Sequence, residues 1–387
     1  MLIYNVNIHS MDNFDSESGY VEIVGGKIAA VGAMERCPSP GEGDVDGKGA
    51  HLYPGWIDAH CHLGLLADGL PYDQDDCNEE SDAVTPQLRA IDGLYPMDNC
   101  FREAREGGVT TVLTGPGSAN AIGGQFAAIK TAGRWIDDMV VLAPVAMKFA
   151  LGENPKSVYS ERKESPMTRM ATASLIREKL AETQEYLRKK KAAEEDEEKD
   201  APDFDAGLEA LIPVVEGTLP AHFHAHRADD IATAIRIAKE FRLNYVVVHG
   251  TEGHLVADIL AREGVRVITG PIIGDRSKPE LMRQTVENTS KLAAAGVKVA
   301  ICTDHPENPV QYLPFAASIA ARHGLDKEQA LRAITIEAAE IAGIANRVGS
   351  IAPGKDADMV LYSGHPFDFD SRIWKVWIDG EAVYSAD

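Results

Sequence analysis

The chain has no C-x-x-C pair, no long apolar run and no excess of positive charge. Its five cysteines, Cys37, Cys61, Cys77, Cys100 and Cys302, are scattered and odd in number. That argues against a disulfide framework and for free thiols in a reducing cytoplasm. No stretch approaches the roughly 18 consecutive apolar residues of a membrane span. The opening MLIYNVNIHS lacks the basic segment and apolar run of a signal peptide. With 38 Lys and Arg against 60 Asp and Glu, the formal net charge is −22. Nucleic acid and anionic membrane are therefore not expected as partners, whereas a small-molecule substrate is. A homo-oligomer is left open.

What is present is enough apolar material for a sizeable core. Hydrophobic residues make up 44% of 387, which suits one large domain with a smaller companion. The first ~50 residues alternate strand-like pieces with turns, Gly25-Gly26 among them. The last residues behave the same way, with Asp379-Gly380 as a second hairpin turn. Two β-rich ends around a long middle predict a small β-sandwich domain built from residues 1–54 and 350–387. Between them, residues 55–349 repeat an apolar strand followed by a helical stretch. About eight such strands predict an α/β fold, a (β/α)8 TIM-type barrel. Residues 160–210, charged and broken by Pro202, read as an exposed helical insertion after the fourth strand.

Barrels of this kind carry their active sites at the C-terminal strand ends. PGWIDAHCHLG, residues 54–64, reads as a strand whose Asp58, His60 and His62 share one face while Ile57, Ala59 and Cys61 share the other. APVAMK ends in Lys148, LPAHFHAH carries His222, His224 and His226 on one face, YVVVHG supplies His249, and VAICTDHP supplies Asp304-His305. Any one of these has a plain explanation as a solvated or hydrogen-bonded group. Five strand ends in order, each closed by imidazole, lysine or carboxylate, point to a divalent metal site.

The order His-x-His, Lys, His, His, Asp in a β-flanked barrel resembles the amidohydrolase superfamily of metal-dependent hydrolases. GKGAHLYPGWIDAHCHLG resembles that superfamily's opening signature, and GSIAPGKDADMVLYSG its return into the small β domain. The match spans nearly the whole chain, and the branch it most resembles holds imidazolonepropionase and metal-dependent dipeptidases. The resemblance implies two zinc ions. His60 and His62 would hold the first with Asp304, and His224 and His249 the second. Lys148, carboxylated by carbon dioxide, would bridge them; a plain ammonium has no lone pair to offer a metal. His226 is the alternative to His224 on the fifth strand. The implied reaction is hydrolysis of an amide-type C–N bond in a peptide, N-acyl amino acid or cyclic amide. Asp304 would act as general base then acid, and His226 would hydrogen-bond the oxyanion. Gln125, Tyr72 and Arg227 are candidate substrate contacts; a turn, plain packing and a surface salt bridge are their plainer readings. The alternatives are a one-metal deaminase of a heterocycle and a non-catalytic binding protein on the same barrel.

Overall fold

The computed structural model describes residues 1–66 and 75–386. The N-terminal segment supplies β1 (Leu2–Ile8), β2 (Ser16–Val24), β3 (Lys27–Ala33), β4 (Val45–Asp46) and β5 (His51–Pro54). The barrel strands are β6 (Trp56–Cys61), β7 (Val109–Thr114), β8 (Ile122–Lys130), β9 (Val140–Ala150), β10 (Ala221–Ala225), β11 (Tyr245–His249), β12 (Arg266–Thr269) and β13 (Lys298–Ile301). The chain then returns through β14 (Met359–Tyr362), β15 (Ile373–Ile378) and β16 (Glu381–Ser385).

Both ends meet in one sheet, ordered β16-β15-β14-β5-β1-β2-β3, with β4 also paired to β1. Ile28 of β3 and Trp377 of β15 lie far apart in that order yet share one core with Ile3, Leu52 and Met359. The sheet therefore curls over itself into the expected β-rich terminal domain. Its two hairpins follow from turn chemistry. Gly25 and Gly26 have φ of 57° and 76°, and Asp379 and Gly380 have 50° and 77°. Two consecutive positive φ values are what a two-residue hairpin matched to strand twist requires.

The barrel sheet runs β6 to β13 in sequence order. Runs such as YVVVH and KVAI are buried on both faces, as strands covered outside by helices must be. Closure comes just past β13, where Asp304 N–H donates to His60 O at 3.1 Å and His62 N–H donates to His305 O at 2.9 Å. One strand departs from the expected repeat. β8 pairs antiparallel with both β7 and β9, while the other neighbours are parallel. The segment 115–121 is thus a hairpin connection at the active rim, and the return at 131–139 lies on the opposite rim.

The helical stretch after the fourth barrel strand is less exposed than its charge suggests. The helix Arg169–Glu195 starts at Thr168, whose side chain accepts from Ala171 N–H. Ala173, Ile176 and Leu180 form one stripe that packs with Leu211, Phe223 and Ile237. The stripe packs into the same core as Phe149 of β9 and Phe223 of β10, while the charged faces, with Met170 among them, meet water.

A buried ion cluster locks the barrel to the terminal domain. Lys130, at the end of β8, is 3% exposed. It pairs with Asp358, with Asp356 at 3.0 Å and with Asp379 at 3.5 Å; Lys27 and Arg347 also reach Asp356. Burial opposes its charge, but the three carboxylates outweigh that and raise its pKa. Lys130→Met should cost about 3–5 kcal/mol, because it strands buried carboxylates without their central cation. Urea unfolding reads this directly, and an unchanged midpoint would show that the cluster does not fasten the two sheets.

Candidate metal centre and active-site cavity

Five barrel strands deliver the predicted residues to one end. On β6, alternation turns Asp58 and His60 away from the face on which Cys61 packs with Cys100 and Phe101. Asp58 is fully buried; it accepts from Thr303 N–H at 3.1 Å, from the Thr303 hydroxyl and from His60 N–H at 3.3 Å. Burial pushes its carboxyl up to about 7. Its work is to fasten β6 to Thr303, just past β13.

The imidazoles fall into two groups, His60 and His62 with Asp304, and His224 and His226 with His249. Within each group the available ligand atoms lie within 4.8 Å of one another. His62 Nε2 is 3.4 Å and His60 Nε2 3.7 Å from Asp304 Oδ1. Lys148 Nζ stands 3.1 Å from His60 Nε2. Four of the rings are aimed by a partner on Nδ1. His62 meets Gly115 O at 2.7 Å, His224 meets Ser118 Oγ at 2.8 Å, His226 meets Thr251 Oγ1 at 2.7 Å and His249 meets Gly270 O at 2.7 Å. The carbonyl partners of His62 and His249 place the N–H on Nδ1 and leave Nε2 for a ligand, whereas the hydroxyls beside His224 and His226 can donate or accept and so admit either tautomer. The His224 Nε2 is buried without a hydrogen-bond partner, a costly state unless something else takes its lone pair. His249 and Asp304 also carry left-handed backbones, φ of 70° and 55°, conformations that cost roughly 1–3 kcal/mol and gather at functional sites.

Electrostatics suits a cation. Burial, with help from neighbouring positive groups, drives His60, His224 and His226 well below the ordinary imidazole range and His249 down to about 4. These rings are neutral at pH 7, the form that binds metal. His62 differs: burial opposes its proton, but Cys77 and Asp304 hold it up to about 10. Burial would raise Asp304, yet His249, His62 and Lys148 keep it ionised. Lys148 is fully buried, and burial lowers its pKa to about 8. His222 lies on β10 opposite Lys148 in register, is fully buried and is held neutral by burial, down to about 3. It fills the floor beneath the site.

A cavity of about 580 Å³ opens above these groups, lined by His62, His224, His226 and Asp304 and by loop residues that include Asn154 and Lys278. A larger groove, about 1310 Å³, lies near Phe315, Phe367 and Trp374, away from every candidate ligand.

The three candidate substrate contacts fare differently. Arg227 forms a two-pronged pair with Asp229, at 3.0 and 2.9 Å, and does not line the cavity. The structure holds it in the surface salt bridge of its plainer reading. Gln125 is also placed away from the cavity. Its neighbour Phe126 stacks on His60, so alternation turns Gln125 outward, where Nε2 donates to Pro86 O at 3.3 Å. Tyr72 lies outside the described residues. Sequence reasoning did not find Ser118, Thr251 or Lys278. The two hydroxyls and the lysine sit in connecting loops, where no periodicity marks them.

The chain is thus an α/β barrel with two groups at its C-terminal rim that could each hold a metal ion. The comparisons agree. The amidohydrolase family model matches residues 51–383, and the chain belongs to that family. An amidohydrolase from Thermotoga maritima MSB8 superposes with a TM-score of 0.95 at 41% identity, covering all of both chains. The amidohydrolase tasK of Hapsidospora irregularis is 30% identical over 88% of this chain and 37% of its own length. An imidazolonepropionase of Geobacillus kaustophilus is 37% identical over 29% of this chain and 28% of its own length. The chain thus spans little more than a third of the former relative and matches less of the latter.

Proposed function

We propose that this hydrolase cleaves an amide-type C–N bond in a small molecule, using two divalent metals, zinc being the first choice. The observation that carries the reading is the pair of three-residue ligand groups with Lys148 beside them. His60, His62 and Asp304 would hold one metal. His224 and His249 would hold the other, the orphaned His224 Nε2 favouring His224 over His226. Lys148, whose lowered pKa makes the neutral amine accessible, would take up carbon dioxide and bridge both through its carbamate oxygens. When bound, the metals supply Lewis acidity and lower the pKa of water.

The chain's own groups do the rest. Asp304 accepts a proton from the attacking water and returns it to the departing nitrogen. His226 Nε2 lies 3.7 Å from the buried Glu280 Oε1, and it would turn its N–H to the carbonyl oxygen as charge develops there. All five cysteines are free, which supports a cytoplasmic setting, and among the described residues no helix is long and apolar enough to cross a membrane.

Elemental analysis should find about two metals per chain, and the metal-loaded protein should hydrolyse members of a panel of N-acyl amino acids, dipeptides and cyclic amides. A single tightly held metal at saturation would overturn the two-metal reading. It would favour a one-metal heterocycle deaminase; the deaminase part of that reading has support in 26% identity over 94% of the chain, and 54% of its own length, to adenine deaminase 2 of Rhizobium meliloti.

A further inference from the structure

Lys278 is the one lysine or arginine among the described residues lining the active-site cavity. It stands in the loop between β12 and β13, which enters the rim beside the His224 group. The chain carries 60 acidic residues against 38 basic ones, and most of its described lysines and arginines near carboxylates are paired. Lys278 makes no ion pair within 4 Å among the described residues. Its ammonium donates to Asn154 Oδ1 at 3.2 Å, and Asn154 lines the same cavity. An ammonium has three donors, so one neutral bond leaves two unspent.

The surroundings locate this charge. Behind burial as the main cause, Lys278 helps to depress His224, His226 and His249 but does not figure for His60 or His62. It therefore acts on the second imidazole group. Of the acidic residues on the same lining, Asp304 is taken up with His60 and His62, and Asp275 and Glu307 are exposed, where water and salt screen them. Lys278 is half-buried and feels the buried Glu280 only through space, with no carboxylate in ion-pair contact, so an incoming anion would gain from its charge. A neutral substrate would give this charge nothing to meet.

We infer that Lys278 and Asn154 form a carboxylate subsite on the His224 side of the cavity, so that the substrate is an acid: an N-acyl amino acid or a peptide with a free carboxylate close to the bond that breaks. Lys278 supplies the charge, and Asn154 holds it and can turn its own N–H₂ to the same anion. This rests on the amide-hydrolase reading for the bond cleaved, but not for the binding itself.

Binding separates the two. Protein as purified is titrated calorimetrically with a panel of N-acetyl amino acids and their matching carboxamides, which differ only in the charge. Wild type should bind at least one acid ~10-fold or more tighter than its amide, the worth of one charge-assisted hydrogen bond. Lys278→Met keeps length and packing and should bind that acid as weakly as the amide. Lys278→Arg should keep most of the preference. A melting temperature within a few degrees of wild type in Lys278→Met excludes a fold defect as the cause. Equal binding of acids and amides by wild type, no binding by any member, or an undiminished preference in Lys278→Met overturns the subsite. If the acids bind with this pattern but none is hydrolysed, the subsite stands and the proposed reaction falls.

Discussion

Lys148→Ala should emerge from purification depleted of metal and with turnover close to background. The lysine is fully buried, 3.1 Å from His60 Nε2. Two neighbouring divalent ions would repel each other across this space, and a carbamate is the anion that offsets them. An unmodified ammonium would add to the repulsion. Removing the side chain to Ala leaves a gap that acetate or propionate can enter, so either should restore part of both metal content and activity. Lys148→Arg should resist that rescue, because a guanidinium fills the gap and stays positive. Metal content is read by elemental analysis in parallel with turnover. Full occupancy with normal turnover in Lys148→Ala would make the lysine a bystander.

Asp304→Asn should lower turnover by at least ~100-fold, the low end for loss of a general base. The amide keeps the shape and can still face His62, but it cannot take a proton from water. Burial would favour the protonated acid at this position, yet His249, His62 and Lys148 keep Asp304 ionised. That leaves it charged across the physiological range. Metal occupancy must be measured on the same sample, since Asp304 also stands with His60 and His62. Normal turnover with both metals in place would remove Asp304 from the proton relay.

The rim was legible in the sequence because each candidate ligand interrupts an apolar run at a strand end. A polar side chain that closes YVVVH or VAICTD stands out against a strand buried on both faces, so the run and its terminator carry the signal together. The hairpins were legible for a similar reason: Gly25-Gly26 and Asp379-Gly380 satisfy a backbone demand that few residues meet. The direction of β8 was not legible. IGGQFAAIK is buried along nearly its whole length, and a strand covered on both faces reads alike in either direction. Its Gly-rich start read as a loop, which drew Gln125 into the candidate list although the pleat turns it outward. Helix Arg169–Glu195 misled through its charge: the stripe of Ala173, Ile176 and Leu180 is narrow beside the surrounding Lys and Glu. Arg227 looked well placed by position alone, and only the geometry showed Asp229 already holding it.

The backward strand divides the rim for anyone wishing to retarget the enzyme. Because β8 returns antiparallel, the connection 115–121 is pinned by ladder pairs at its base, Thr114 facing Ala127. It also supplies Gly115 O to His62 and Ser118 to His224. A side chain at residue 115 would run into Phe126, the ring that stacks on His60. That stretch cannot be exchanged without disturbing the imidazoles. The loop between β12 and β13 has no such double anchorage over residues 273–278, between Gly270, which orients His249, and Glu280, which faces His226. Libraries confined to those six positions would redraw what the cavity accepts while leaving its chemistry in place.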